Sequence, residues 1–365
     1  MDLKKCLALL LAALLLSAAA GCAPEPQEMI EIKPTSGPSA TGQIGVGRTL
    51  VVGIWGSEQE AIVRELILPK FEAQTGATVE LIAGLSSDRY ALLYAEAEAQ
   101  QSSMDVVYLS MAQTEQAAKD GLILPANPEG VPECANLYDI AKSVGGYGVS
   151  MMAVGLQYST EAFPSAPTSW SACWDPANQG RVAPFAFPST QGTAFLVMAA
   201  KLNGGDENNV DPGFEAIKKL KPLPAVFSDN DEALLAFESG SVVLAPQLDC
   251  YAAAAIDAAK KVGFTLPSEG GVLVMNCAAI PAKSANADLA QIWINMHLSQ
   301  EVQQAYAERL YYGPTNSKVA LSDDLAKKVL YGPDEVSKLI ALDSAAIAAN
   351  ADAWAARWEQ EVTGQ

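Results

Sequence analysis

From Thr49 onward, short apolar runs alternate with segments of helical period, and this alternation limits the possible folds more than any other feature of the chain. A strand is predicted over 50–54, followed by a Trp55-Gly-Ser57 turn and a helix over 58–75, where Ile62, Leu66, Ile67 and Phe71 carry the helical spacing and Gly76 ends it. A second strand over 78–82 leads to Ser86-Ser87-Asp88, which can cap a helix over 89–100. A third strand over 105–109 runs through Ser110 into a helix that stops at Gly121. Strand, helix, strand, helix in this order predicts a parallel sheet covered by helices. In such sheets ligands lie beyond the carboxyl ends of the strands, where the helices begin.

The rhythm then changes. The span 147–163 is Gly-rich at its start and then apolar, and reads as a crossing strand between two lobes. A second α/β set follows, with a strand over 180–187, a turn over 188–193 and helices over 194–202, 232–238 and 249–261, the last rich in Ala. A further strand is predicted over 241–245, a return crossing over 272–280 and one long helix over 285–309. The expected division is lobe 1 over 49–153 plus 275–322, and lobe 2 over 154–274 plus 323–365.

Ahead of this body stands a leader. Lys4 and Lys5 precede an apolar run over 6–16 and a small-residue stretch over 17–21, the pattern of a bacterial secretion signal. The run is too short to cross about 30 Å of hydrocarbon, which takes roughly 20 residues. Ala19-Ala-Gly-Cys22 resembles the lipobox of bacterial lipoproteins, with Ala19 where Leu is usual, and implies a lipid on Cys22. The expectation is a signal over 1–21 and a Pro, Gly, Ser and Thr-rich tether over 22–48, leaving the body outside the cytoplasm and anchored to a membrane surface.

The 365 residues hold 42 acidic against 23 basic side chains, a net charge of −19. So acidic a body argues against nucleic acid or anionic lipid as a partner. Beyond the leader, Cys134, Cys173, Cys250 and Cys277 allow three pairings and their spacing favours none, so mostly buried, unpaired thiols are expected.

Several phrases together carry a resemblance. Pro167-Thr-Ser-Trp170, Trp174-Asp-Pro, Gly180-Arg-Val, Pro267-Ser-Glu-Gly-Gly271, Ala279-Ile-Pro281 and Gly313-Pro-Thr-Asn316 follow the order found in bacterial extracellular solute-binding proteins of polyamine, iron, thiamine and phosphonate importers. The resemblance spans about 49 to 335. It implies the α/β periplasmic-binding-protein type 2 fold, two α/β lobes joined by two crossing strands and closing over a small solute. It also implies delivery to an ABC permease, by a monomer that needs no cofactor.

Candidate solute contacts are the residues that follow strands, where helix N-termini offer free N–H groups: Trp55, Ser57, Ser86, Ser87, Ser110, and the turn Ser189 to Thr193. In that turn Thr190, Gln191, Gly192 and Thr193 are singled out, because Gly192 permits close backbone approach and Thr193 opens the helix. Plain N-capping explains a Ser or Thr at each of these places equally well. By alignment with polyamine binders, Thr190 and Thr193 stand where those proteins carry acids, Val274 and Asn276 replace a Trp and an Asp, and Gln247 replaces an aromatic wall. A buried ammonium without carboxylates costs several kcal/mol, so the expected solute is neutral, zwitterionic or anionic. Met151, Tyr251 and Trp55 are expected as apolar walls, Asn276 as a polar contact, and Asp249 either as a partner for a ligand amine or as a helix cap.

Metal and catalysis are weighed on the same residues. Tyr311 and Tyr312 lack a neighbouring His or carboxylate phrase, so no metal site is expected. The lone His297 is expected on a helix surface. A thiaminase-like enzyme on the same fold would need a cysteine nucleophile, for which Cys250 beside Asp249 is the one candidate. A ligand-presenting sensory lipoprotein shares every feature of the carrier.

Overall fold

A computed structural model describes residues 43–142 and 145–364, and those from Gln43 onward form one compact unit. The signal over 1–21, the lipidation residue Cys22 and most of the tether lie outside the described residues. The end of the tether span is packed: Arg48 forms two short contacts with Asp288, and the Gly45 N–H donates to the Thr75 carbonyl at 2.8 Å.

Strands β1 (Thr49–Ile54), β2 (Thr78–Ala83) and β3 (Val106–Ser110) form the parallel part of the sheet. β4 (Tyr147–Ser159), β5 (Leu244–Leu248), β6 (Val262–Thr265) and β7 (Gly271–Ala279) join it antiparallel, in the order β2-β1-β3-β7-β4-β5, with β6 on β4 and β8 (Leu339–Ile340) on β7. The sheet is therefore mixed, parallel over its first three strands and again where the short β8 joins β7.

β4 and β7 are the two predicted crossings, and they pair with each other along most of their length. Alternation along β4 sends Met151 and Ala153 into one apolar core and Met152 and Val154 into a second. The first core joins β1, β3 and the helices around them to Leu330 and Val336; the second joins β5 to Trp354 and Trp358 near the C-terminus.

Several helix boundaries differ from those the sequence suggests. The predicted helix over 58–75 is two, α1 (Glu58–Leu66) and α2 (Leu68–Thr75), because Pro69 has no N–H to continue the ladder. α3 (Ser86–Ala95) starts at Ser86, and α4 (Met111–Lys119) follows β3. The span 180–187 makes only isolated bridges, Val182 to Leu244 and Phe185 to Phe227, with Pro184 unable to donate. After it come α5 (Thr190–Leu202), α6 (Asp211–Lys218), α7 (Asn230–Glu238) and α8 (Asp249–Asp257). The predicted long helix over 285–309 is α9 (Ala287–His297) and α10 (Gln300–Leu310), broken where the Ser299 side chain accepts from the Val302 N–H and restarts the helix. α11 (Ser344–Arg357) closes the fold.

Candidate functional site

Three groups of polar side chains sit on the central strands and at the turns that follow strands. The first surrounds Trp55, which is half-buried after β1 and meets Tyr108 edge-on at 6.2 Å. Arg89, from the first turn of α3, lies over the same indole with its guanidinium carbon 5.1 Å from the ring centroid. Its Nε donates to the Tyr108 carbonyl at 2.9 Å, and its Nη1 to the Ile54 and Gly84 carbonyls at 3.0 and 2.8 Å. One buried cation thus ties together the end of β1, the loop after β2 and the middle of β3. Burial lowers its pKa to about 10, and its Nη2 has no acceptor among the described residues. The sequence reading missed Arg89, since a charged residue in the first turn of an amphipathic helix reads as surface.

Around this clamp the sequence candidates fare unevenly. Ser57 is exposed and has φ of 59°, a left-handed backbone that does not cap α1 with its side chain. Ser86 and Ser87 lie inside α3 and do not cap it, because Leu85 occupies the cap position. Ser110 does cap α4, in a capping box with Gln113.

The second group lies on the central strands. Ser110 pairs with Asn276 across β3 and β7, and Asn276 pairs with Ser150 across β7 and β4. Asn276 donates to the Ser150 hydroxyl at 3.1 Å, and both Asn276 and Val274 are half-buried. Met151 belongs to the opposite face: it is fully buried in the first core and forms no open wall, which corrects the expectation from its place on the crossing.

The third group gathers the N-terminal turns of α5 and α7 with the end of β5. The buried Gln191 amide donates to Asn230 Oδ1 and to Gln247 Oε1, each at 3.1 Å, and Gln247 Oε1 also accepts from the Leu248 N–H at 2.9 Å. Beside this chain of amides a pocket of about 210 Å³ is lined by Gln157, Gln247, Asn230, Asp231, Leu234 and Tyr251. Tyr251 is 46% exposed, so its ring forms part of an open wall. Thr190 is exposed at the first helical position and Thr193, half-buried, is the fourth, so Thr193 does not open α5. The helix is capped instead by Ser189, whose hydroxyl accepts from the Gly192 N–H. Gly192 does serve close approach, but to the chain itself: a Cβ there would come within 2.6 Å of the Phe185 and Ala186 carbonyl oxygens.

Asp249 stands apart from this group. It occupies the first turn of α8, where its Oδ1 accepts from the N–H groups of Ala153 and Cys250 at 3.2 and 2.8 Å. Its Oδ2 is buried without a partner, and burial pushes its pKa up to about 7.

His297 is fully buried, not on a surface. Tyr108 accepts a hydrogen bond from Trp293 Nε1 at 3.2 Å, which leaves its own hydroxyl proton for His297 Nδ1 at 2.7 Å. Burial lowers the His297 pKa to about 3, so the ring is neutral and structural. Tyr311 bonds to Asp257 and Tyr312 packs between the two cores, and no cluster of three or more metal-binding side chains occurs among the described residues. All four cysteines of the body are buried and unpaired, as expected. Burial raises each thiol, and for Cys250 the Asp249 charge adds to it. Among the described residues no helix is long and apolar enough to cross a membrane.

Comparison with known proteins decides the family. A family model described as bacterial extracellular solute-binding protein matches residues 67–333. The chain belongs to that family. Among curated relatives, the spermidine/putrescine-binding periplasmic protein of Escherichia coli is 30% identical over 183 residues, 48% of this chain and 51% of the relative. Protein 1 of the same description from Haemophilus influenzae is 24% identical over 288 residues, 74% of this chain and 75% of the relative. The chain thus spans about half the length of the first of these. A solved structure described as an ABC transporter from Clostridium perfringens superposes with a TM-score of 0.76 at 27% identity, covering 86% of this chain and 99% of its own. The spermidine/putrescine substrate-binding protein of Streptococcus pneumoniae gives 0.66 at 18%, covering 81% and 93%. The solute-binding chain has the periplasmic-binding-protein type 2 fold of these neighbours.

Proposed function

We propose that this chain is a lipid-anchored carrier that captures a small neutral, zwitterionic or anionic solute and hands it to an ABC permease. The two cores, joined by β4 and β7, are read as the two lobes of 49–153 with 275–322 and of 154–274 with 323–365, hinged at the crossings. The three polar groups, around Trp55, around Asn276 and around Gln247, are read as facing one cleft. The observation that carries the choice of solute is the Gln191, Gln247 and Asn230 chain: the buried part of this wall is made of neutral amides that can turn to donate or accept. Arg89 adds a fixed positive charge beneath Trp55, which disfavours a second cation on that ring.

A second reading is a polyamine. The curated relatives, named as spermidine/putrescine-binding proteins, favour it, and the exposed Asp231 at the pocket beside Tyr251 could meet one ammonium. The cysteine-nucleophile alternative draws no support from Cys250, whose thiol stays protonated at neutral pH.

Melting shifts with solutes test the choice, since stabilisation grows as RT ln(1 + [L]/Kd). Amino acids, phosphonates, thiamine and sugars are compared with spermidine and putrescine. A saturable shift with the polyamines alone overturns the preferred class, and no shift with any solute removes support for the carrier reading as a whole.

A further inference from the structure

Gln157 is a polar side chain on β4, only 2% exposed. It stands opposite Ala245 of β5, while Gly155, two residues back, stands opposite Gln247. Residues opposite one another in an antiparallel pair share a face, and so do residues two apart in one strand, so Gln157 and Gln247 are diagonal neighbours on one side of the sheet. Both line the pocket of about 210 Å³, whose other walls include Leu234 of α7 and Tyr251 and Ala254 of α8.

What sets Gln157 apart is its free amide. Among the described residues no group hydrogen-bonds to its Nε2 or its Oε1. Arg89 Nη2, Asp249 Oδ2, His297 Nε2 and Trp358 Nε1 are unpartnered too, but those four atoms are sealed from solvent, whereas the amide of Gln157 opens on the pocket. Gln247 adds a second donor: its Oε1 is taken up by Gln191 and the Leu248 N–H, and its Nε2 is left unbonded beside the same space. A buried amide that the protein leaves without partners is destabilising, and a ligand that completes its hydrogen bonds accounts for its place there.

Resting on the carrier reading, we propose that Gln157 is a specificity-determining residue of the solute pocket and pairs with a primary carboxamide, the uncharged head of the solute. A carboxamide holds a carbonyl oxygen and an N–H side by side in one plane, and closes two hydrogen bonds with the amide of Gln157. The head's N–H donates to Gln157 Oε1, and Gln157 Nε2 donates to the head's oxygen, whose second lone pair accepts from Gln247 Nε2. All three free atoms of the two glutamines are then satisfied. A carboxylate would set an oxygen against Gln157 Oε1, with no Lys or Arg in the lining to balance its charge. An ammonium would face two N–H donors, and the one carboxylate of the lining, Asp231, is exposed. The apolar walls of Leu234 and Ala254 suit a short alkyl chain behind the head.

The test titrates four probes of one carbon skeleton, butyramide, butyrate, butylamine and butan-1-ol, into the full chain at pH 7, with backbone and side-chain amide resonances followed by NMR. Butyramide should give saturable shifts at Gln157, Gln247 and Tyr251 and bind about tenfold more tightly than the other three. Q157L should lose about tenfold in butyramide affinity while keeping or gaining thermal stability, because it removes an amide that no protein group satisfies; a purely structural glutamine would show the reverse. Q157E, which trades the donor for a carboxylate, should turn the preference to butylamine. The proposal is overturned by butyramide shifts that never saturate or that saturate elsewhere, by another head binding as tightly, or by affinity unchanged in Q157L. The comparison of heads uses the unaltered chain, so it stands even where a variant fails to fold. The carrier reading fails separately. Butyramide held through Gln157 in a chain that no solute of the melting screen stabilises would remove the carrier and keep the carboxamide site, whereas a solute whose melting shift is the same in wild type and Q157L would keep the carrier and overturn the role of Gln157.

Discussion

The ends of β1 to β3 around Arg89 and the turns around Gln191 solve one problem with opposite chemistry. Both must satisfy backbone polar groups in and beside the strands. The first does so with a charge: Arg89 holds three carbonyls in a planar fork, of which that of Ile54 also accepts from the backbone N–H of Gly84. The second does so with amides that can reverse donor and acceptor, and whose loss frees fewer backbone groups. The difference separates rigidity from recognition. A clamp fixes the loops that present Trp55, and a neutral network adapts to what enters beside Tyr251.

Breaking the clamp should have the largest effect. R89M removes the donors for the Ile54, Gly84 and Tyr108 carbonyls and is expected to lower stability by about 3 kcal/mol or more, read from urea denaturation. Next is Y108F, which strips the hydroxyl from both Trp293 and His297; a loss of about 2 kcal/mol is expected. A loss below about 0.5 kcal/mol for either would mean that the polar contacts near Trp55 do not organise it.

The amide side should respond differently. Q191L leaves the Leu248 N–H bonded to Gln247, so its stability cost should be about 1 kcal/mol. The solute-induced melting shift, by contrast, should fall as for a tenfold weaker Kd. Equal effects of Q191L and R89M on stability would erase the contrast between the two regions.

Titration gives the smallest and finest test. The folded pKa of Asp249 is raised from 3.8 to about 7, so the native state holds a proton that the unfolded chain releases, and stability falls as pH rises from about 4 to 7. His297 acts in the opposite sense: its folded pKa is lowered from 6.5 to about 3, so stability is lost as pH falls from about 6.5 toward 3. The two slopes offset each other between pH 4 and 6.5. D249N should leave the histidine slope of up to ~1.4 kcal/mol per pH unit unopposed by Asp249. An unchanged pH profile in D249N would show that Asp249 is not protonated in the fold.

Much of the architecture was legible because it rests on period. The alternation over 49–121 and the apolar crossings at β4 and β7 follow from side-chain spacing that any reading of the chain can see. Breaks inside elements were less legible. Pro69 and Ser299 each carried a local signal that the continuous apolar pattern outweighed, and 180–187 looked like a strand from its aromatic residues although Pro184 interrupts pairing. In the site, Gln191, Gln247 and Tyr251 were named from sequence and lie together, while Met151 and Gly192 serve packing and Ser189, not Thr193, starts the helix. Arg89 and the neutral His297 could not be found, because burial of a polar side chain depends on which distant residues meet it.

The sequence by itself determined the alternating α/β build, the two crossings, the acidic balance and the family. Only the tertiary structure decided which polar groups are buried, and therefore which are charged. It decided that Arg89 is a clamp, that His297 is neutral, and that the carboxyl of Asp249 is buried with one oxygen unpartnered. The reason is physical. Period is a property of neighbours in the chain, whereas desolvation and charge are set by neighbours in space.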